Sequence, residues 1–170
     1  LVGMSQGARL ALHFTLAYPD RVRALVLDGA PEIESESELP LGLYRQRLES
    51  AGVAALRAMI LAHPLMHLHT QQPAARAALV ESLSGYRGLD LLHPVPRSAA
   101  PDLKRITTPT LVLNGALDSV RRRDAGRRMA DTITGAARVE LPAAGHLALL
   151  DDPVAYAAAV TGFLRKCEAR

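Results

Sequence analysis

Hydrophobic and polar positions along the chain alternate between strand-like and helix-like patterns. Short apolar runs predict strands at the start of the chain and at residues 21–30, 110–114 and 137–141. Nearly continuous apolar runs are typical of parallel strands covered on both faces, and the alternation within 137–141 is typical of an edge strand. Helical patterns fall between and after these strands, at 8–17, 122–133 and 153–166. The order predicts an α/β protein with parallel strands and flanking helices.

The pattern changes between the second and third predicted strands. Four glutamates fall within seven residues ahead of Pro40, which predicts a solvated loop. Helical segments without strand character then follow at 42–50, 52–63 and 73–84, and glycines and prolines lead out of them. We therefore predict three parts: a core at 1–31 and 99–170, and an all-helical insertion at 32–98.

Composition favours an ordinary globular domain. Of the 170 residues, 49% are hydrophobic and 22% are charged, which is enough apolar material for a sizeable core. No apolar run approaches the roughly 18 residues that span a bilayer, and the start of the chain lacks the pattern of a signal peptide. We expect a cytoplasmic protein without a membrane partner. Cys167 is the single cysteine, which excludes a disulfide within the chain and a cluster of thiolate metal ligands.

The net charge of +3 is a mild excess of basic residues. Five basic residues cluster at the start of the predicted helix 122–133 and within it: Arg121, Arg122, Arg123, Arg127 and Arg128. No aromatic residues alternate with these arginines to stack on bases. We predict a solvated helix face rather than a phosphate-binding patch, and no nucleic-acid partner.

The first candidate for chemistry is Gly3-Met4-Ser5-Gln6-Gly7, where an apolar strand end runs through Gly-x-Ser-x-Gly into a helix. A serine on such a turn has strained backbone dihedrals, and side chains two residues to either side would collide with neighbouring backbone. We therefore expect Gly3 and Gly7 to relieve two collisions. The pattern predicts a nucleophile elbow that projects Ser5 Oγ above the sheet. The backbone N–H of Gln6 would then face a developing oxyanion.

A carboxylate and a histidine follow two later strands. Asp118 comes after the strand at 110–114 and His146 after the strand at 137–141. Because the carboxyl ends of parallel strands share one edge of the sheet, these residues can converge with Ser5. We predict Ser5 as nucleophile, His146 as general base and Asp118 as the acid that orients the imidazole. Asp28, at the end of the second strand, and Asp124 remain alternatives for the acid.

The order nucleophile, acid, histidine resembles that of the α/β-hydrolase superfamily. The matching motifs are Gly3–Gly7, Pro109–Asp118, and Gly145-His146 followed by Asp152-Pro153. Together they extend the resemblance over nearly the whole chain outside the helical insertion, and the chain resembles the C-terminal half of that fold. It is most similar to small cofactor-free bacterial hydrolases, which include esterases, enol-lactonases and carbon–carbon bond hydrolases. In these proteins a helical lid follows the sixth strand, and residues 32–98 would be that lid.

The resemblance implies acyl transfer through an acyl-enzyme on a small ester, lactone or related carbonyl substrate, without cofactor or metal. Thioesters, carbon–carbon cleavage and perhydrolysis also remain open, because the lid pocket sets the choice. A serine at the elbow disfavours haloalkane dehalogenases and epoxide hydrolases, which use aspartate there. The competing hypothesis from another class is a non-catalytic or inactive truncated hydrolase-fold protein that serves in binding or interaction.

The resemblance also implies a partner. Members of this fold have about four strands before the elbow, and the loop after the third strand donates a second oxyanion N–H. Here two residues precede Gly3. We expect the N-terminal half of the fold to come from another chain or segment, or the exposed edge to be covered by self-association.

Other histidines and methionines receive structural interpretations. His13 lies in the first predicted helix and is expected in the core. The spacing of His63, His67 and His69 resembles that of metal ligands, but no cysteine or carboxylate lies nearby in the sequence, so we expect lid packing or pocket lining. Three apolar residues of the same region are candidates either for an acyl pocket or for the core: Met59, Leu65 and Met66.

Overall fold

The structure of the chain is a computed structural model that describes residues 1–31, 38–94 and 100–169. Four strands form one parallel sheet in sequence order: β1 (Val2–Met4), β2 (Leu25–Asp28), β3 (Thr110–Gly115) and β4 (Ala137–Leu141). Met4 is in register with Asp28, and Asp28 with Leu113. The carboxyl ends of the strands therefore share one edge, and the predicted parallel sheet with flanking helices is confirmed.

Seven α-helices are described: α1 (Gln6–Ala17), α2 (Leu41–Leu61), α3 (Pro73–Ser84), α4 (Leu89–Leu92), α5 (Val120–Thr132), α6 (Ala148–Asp151) and α7 (Pro153–Glu168). Single 3₁₀ turns lie at Pro19–Arg21, Pro64–Met66 and Leu103–Arg105. The predicted helices are present with shifted ends. The sequence did not predict α4 and α6, because one helical turn is too short to establish a period. The strand predicted at 21–30 is shorter, since a 3₁₀ turn occupies its beginning.

Two apolar clusters cover the two faces of the sheet. α1 and α5 pack with Leu25, Leu27 and Val112, while α7 packs with Leu113 and Leu141. The division follows from the strand geometry, because successive residues such as Val112 and Leu113 point to opposite faces. All of β3 is buried, whereas four of the five residues of β4 are at least partly exposed. The predicted edge strand is therefore confirmed.

The other edge of the sheet, at β1, is open within the described residues. β1 pairs only with β2, and the Val2 residue is 52% exposed. α1 buries one face, while Leu10 is 70% and Phe14 is 37% exposed. The exposed edge that the sequence led us to expect is therefore present, with an apolar face of α1 beside it. His13 is half-buried rather than a core residue.

Residues 38–94, the helical segment, connect β2 to β3. Within its described residues there are helices and loops but no strand, as predicted. Gly52 interrupts α2 with φ 81° and ψ 178°, at the junction of the two helices predicted at 42–50 and 52–63. The segment has its own apolar cluster, formed by Tyr44, Leu56, Ile60 and Leu91. Contacts between α3 and α6 attach it to the core.

Two predicted loops lie outside the described residues, the glutamate-rich stretch at 32–37 and the proline-containing stretch at 95–99. Across the described ranges, no helix combines the length and the apolar character needed to cross a membrane.

Candidate active site

Ser5 occupies a sharp turn between β1 and α1. It has φ 52° and ψ −118°, and it is the one non-glycine residue with positive φ within residues 1–31, 38–94 and 100–169. Such a conformation costs about 1–3 kcal/mol and persists only where the surroundings impose it. Its N–H donates to the carbonyl oxygen of Asp28 at 2.8 Å, which fixes the turn against β2. Gln6 follows as the first residue of α1, where N–H groups have no acceptor within the helix.

The two glycines around Ser5 differ in what they permit. A Cβ on Gly3 would lie 2.4 Å from the Gly7 carbonyl oxygen and 2.7 Å from Ala8 Cα, so only glycine fits. A Cβ on Gly7 would meet no described atom within 4 Å. The predicted collision is therefore present at Gly3. At Gly7 the prediction is wrong, because the helix turns that position away from the strand.

Asp118 and His146 form a buried pair. Asp118 Oδ2 lies 3.0 Å from His146 Nδ1, and the residues are 6% and 4% exposed. Their loops run side by side, with the N–H of Leu117 donating to the Ala144 carbonyl oxygen at 2.9 Å. A carboxylate at Nδ1 favours the tautomer that carries its proton there, which leaves Nε2 as an acceptor. The arrangement is the one that a general base requires.

Gly29 brings this pair to the turn of Ser5. A Cβ on Gly29 would lie 3.0 Å from both Cε1 and Nδ1 of His146, so the imidazole rests on the bare backbone of Gly29. Gly29 directly follows Asp28, whose carbonyl oxygen holds the Ser5 N–H. The three predicted residues thus meet at one sheet edge. No hydrogen bond joins Ser5 Oγ to His146 among the described residues; the Ser5 hydroxyl instead accepts from Arg122 Nη1 at 3.2 Å.

Arg122 corrects the prediction of a solvated arginine face. Its residue is 1% exposed, whereas Arg127 and Arg128 are exposed as expected. Arg122 Nε donates to Glu38 Oε2, and Nη1 also donates to the Gly29 carbonyl oxygen at 2.7 Å. The signal was present in the sequence. Three small or apolar residues follow Arg122 at spacings of three, four and seven, which places it on the buried face of α5: Ala125, Gly126 and Met129.

Glu38 is held as a carboxylate beside this arginine. Burial alone would raise the pKa of Glu38, but hydrogen bonds from Ser119 and Arg122, together with the charges of Arg122 and Arg121, lower it below its ordinary value. Ser119 Oγ donates to Glu38 Oε1 at 2.8 Å. Glu38 thus joins the start of the helical segment to the loop that carries Asp118.

The two alternative acids occupy other environments. Burial raises the pKa of Asp28 to about 7, the Tyr156 hydroxyl partly opposes this rise, and the charge of Asp118 adds to it. Asp28 Oδ1 has no hydrogen-bond partner among the described residues. Asp124 pairs with Arg127 on the exposed face of α5. Of the three carboxylates, the structure sets Asp118 against the imidazole.

A cavity of about 410 Å³ opens next to the pair. Its lining comes from the helical segment and from the acid and histidine loops: Pro64, Leu65, His67, His69, Leu117, Asp118, Ser119 and His146. His67 and His69 stack edge to face, with ring centroids 4.8 Å apart. They line the cavity, and no described group of three His, Cys, Asp or Glu side chains could hold a metal ion. Met59 and Met66 pack in the cluster of the helical segment instead.

Asp151 joins the helical segment to the histidine loop, a role that was not predicted from the sequence. Asp151 Oδ1 accepts from the N–H of His69 at 2.7 Å, and Oδ2 accepts from the N–H of Gly145 at 2.8 Å. A Cβ on Gly145 would lie 2.4 Å from His69 Cδ2, so the two loops touch at this point. The acid precedes the predicted helix start and bonds to residues 82 and 6 positions away, which no local pattern reveals.

A family model described as alpha/beta hydrolase fold matches residues 1–153. The chain is 32% identical over 162 residues to the "Putative carbamate hydrolase RutD" of Klebsiella pneumoniae (strain 342), covering 89% of this chain and 60% of that protein. It is 26% identical over 163 residues to the pimeloyl-[acyl-carrier protein] methyl ester esterase of Chromobacterium violaceum, covering 88% and 63%. The chain therefore spans less than two thirds of the length of these relatives.

Among solved structures, MenH from S. aureus superposes with a TM-score of 0.83 at 20% sequence identity. The match covers 99% of this chain and 68% of that one. At this identity the likeness concerns the fold, and it again involves part of the larger protein.

Proposed function

The chain belongs to the alpha/beta hydrolase fold family, and from this premise we propose that it is a serine hydrolase that acts on a small ester, lactone or related carbonyl substrate through an acyl-enzyme. The observation that carries the proposal is the buried Asp118–His146 pair at the sheet edge where Ser5 has its strained backbone. Acyl transfer requires these three groups in these roles.

In the proposed mechanism, His146 Nε2 takes the proton of Ser5 as Ser5 Oγ attacks the carbonyl carbon. Asp118 stabilises the imidazolium that forms, and the Gln6 N–H stabilises the tetrahedral oxyanion. His146 then returns the proton to the leaving group. A water molecule, activated by the same base, hydrolyses the ester of Ser5. The nucleophile, the base and the acid are side chains of this chain and the second nucleophile is water, so the proposed steps involve neither cofactor nor metal.

We assign the helical segment to the role of a lid over the substrate. The cavity supports this assignment, because four of its eight lining residues come from this segment and the others from the acid and histidine loops. The esterase and carbamate hydrolase named among the relatives both act on a carbonyl bonded to a heteroatom, which agrees with the proposed substrate class.

Activity also depends, in this proposal, on the part of the relatives' fold that these 170 residues do not span. That part would cover β1 and supply a second N–H to the oxyanion, either from another chain or segment or through self-association. Removal of one oxyanion donor typically lowers turnover on the order of a hundredfold to a thousandfold.

The test is covalent labelling of Ser5 with a neutral fluorophosphonate, located by peptide mass spectrometry, with Ser5→Ala as the control. We expect the label on Ser5 of the native protein and its absence from the Ser5→Ala variant. If Ser5 stays unlabelled in a folded full-length or reassembled protein, in which β1 is covered, the enzyme proposal is refuted in favour of a binding role. The missing hydrogen bond between Ser5 Oγ and His146 is the one observation that favours this alternative.

The same assay separates the candidate acids. Because Asp118 contacts His146 Nδ1, Asp118→Asn should slow labelling on the order of a thousandfold or more. Asp28→Asn and Asp124→Asn should retain most of the rate, since neither carboxylate is set against the imidazole. A comparable loss with Asp28→Asn would transfer the role of the acid to Asp28.

A further inference from the structure

The buried guanidinium of Arg122 has three hydrogen-bond acceptors. It donates to the Glu38 carboxylate, to the Gly29 carbonyl oxygen at 2.7 Å and to Ser5 Oγ at 3.2 Å. The counter-ion and the carbonyl already hold a buried arginine in place. The third acceptor is the atom assigned above as the nucleophile.

We propose that Arg122 is a further catalytic residue, which orients the Ser5 hydroxyl and stabilises the negative charge that develops on Oγ, and that Glu38 positions it. This inference rests on the proposed hydrolase function and adds a residue to its mechanism.

The first argument concerns the direction of the Ser5 proton. A serine hydroxyl has one O–H donor and two acceptor lone pairs. The guanidinium has no acceptor, so Ser5 Oγ must accept from Arg122 and its own O–H points elsewhere. His146 contacts the backbone of the same Gly29 whose carbonyl oxygen accepts from Arg122, and its Nε2 is available as an acceptor. Arg122 therefore leaves the proton free for the base.

The second argument concerns charge. In the proposed step the Ser5 O–H bond breaks, the proton passes to His146 Nε2, and the electron pair on Oγ forms the bond to the carbonyl carbon. Arg122 keeps its own protons throughout, because a guanidinium does not lose them in proteins. Its charge lies in a buried site, where an electrostatic contact is stronger than in water. A hydrogen bond from a charged donor is also about twice as strong as a neutral one.

The third argument concerns position. Arg122 is fixed at both ends of its side chain. Its N–H donates to Ser119 Oγ at 3.2 Å, its carbonyl oxygen accepts from Asn114 Nδ2 at 3.3 Å, and Glu38 holds Nε. Catalytic groups act best when their geometry is set before the reaction. Because Glu38 begins the helical segment, the same ion pair connects that segment to the nucleophile.

The experiment measures the second-order rate of fluorophosphonate labelling at Ser5 in the native protein and in three variants. Glu38→Gln/Arg122→Met removes both charges together, so that neither is left buried and unpaired. Arg122→Lys keeps the positive charge but loses the planar guanidinium with its several N–H donors. Arg127→Met, on the exposed face of the same helix, is the matched control. Circular dichroism and the thermal midpoint establish folding.

We expect the double variant to label about a hundredfold more slowly, Arg122→Lys to recover part of that loss, and Arg127→Met to match the native rate. A purely structural role would lower the thermal midpoint of the variants without this graded recovery of rate by lysine. A folded double variant that labels at the native rate overturns the inference and leaves the hydrolase proposal intact. If the double variant does not fold, a native rate for Arg122→Lys overturns it. If Ser5 stays unlabelled in the folded full-length or reassembled protein, both proposals are overturned.

Discussion

Asp28 is a carboxyl group that folding places where its ionisation is unfavourable. It ends β2, it is buried, and its Oδ1 lacks a hydrogen-bond partner among the described residues. Burial raises its pKa to about 7 from the ordinary 3.8. The pKa of Tyr156, on α7, is also raised: burial and the neighbouring Asp28 raise it to about 12. The protein therefore holds a proton on Asp28 that the unfolded chain releases.

This proton makes stability depend on pH. Between about pH 4 and pH 7 Asp28 binds more proton in the folded chain than in the unfolded chain, so its contribution to the free energy of unfolding falls as the pH rises through this range. A tenfold change in a protonation equilibrium corresponds to about 1.4 kcal/mol, so the full effect is on the order of 4 kcal/mol. We expect Asp28→Asn to flatten the dependence, as measured by urea unfolding at several pH values.

Asp131→Asn, an exposed aspartate of α5, is the control and should leave the slope unchanged. Parallel curves for the native protein and Asp28→Asn would contradict the raised pKa of Asp28.

Site residues could be predicted from the sequence where a local pattern identified them. Ser5 was identified by the glycine-flanked turn, and Asp118 and His146 by following strands whose ends share an edge. Arg122 was misjudged because it belongs to a group of arginines, and two members of that group, Arg127 and Arg128, do face solvent. Asp151 was missed because its partners, His69 and Gly145, come together only in the folded chain.

At the scale of elements, Asp151 and Asp152 perform different tasks at neighbouring positions. Asp152 caps α7 by accepting from the Ala155 N–H at 3.0 Å. Asp151, which ends α6, holds the helical segment against the histidine loop. A cap contributes about 1 kcal/mol, and each hydrogen bond to a charged group contributes about 1.5–3 kcal/mol.

We therefore predict that Asp151→Ala lowers the free energy of unfolding by about 2–4 kcal/mol, against about 1 kcal/mol for Asp152→Ala. Asp151→Ala should also accelerate hydrogen exchange at the N–H groups of His69 and Gly145, because both lose their acceptor. Asp152→Ala should leave those two groups unchanged. Equal exchange rates at these N–H groups in the two variants would contradict the role of Asp151 in holding the helical segment against the histidine loop.

Elements with a clear period were predicted well, and their ends less so. α3 and β4 have the predicted bounds, and the kink of α2 at Gly52 falls at the predicted junction. The 3₁₀ turn at Pro19–Arg21 replaced the beginning of a predicted strand. Such ends are set by hydrogen bonds to neighbouring strands, which a single sequence does not contain.

At the scale of the molecule, the sheet is covered unevenly. β4 ends one side with polar residues, whereas β1 and the outer face of α1 expose apolar ones: Leu1, Val2, Leu10, Phe14 and Tyr18. An unpaired strand edge beside an apolar face is a template for association. The order of the sheet was predictable from the order of the strands, but the extent of this surface was not, because it depends on what lies beside β1.

We predict that the 170-residue chain associates with itself through this surface in a concentration-dependent manner. Leu10→Arg/Phe14→Arg should lower the average mass measured by light scattering, because each arginine places a charge on the apolar face. Val154→Arg, on α7, is the matched control, since Val154 is also exposed but lies far from β1 in the sheet order. A monomer at all concentrations would contradict the prediction.

The sheet places its strands in the order in which the chain is synthesised, β1 to β4. Each new strand can therefore add to the free edge of the strands already made, without insertion between earlier ones. Ser5 is translated near the start of this stretch, Asp118 after β3 and His146 after β4. Within this stretch Ser5 therefore emerges well before Asp118 and His146, and the site proposed above comes together only after β4 has been made.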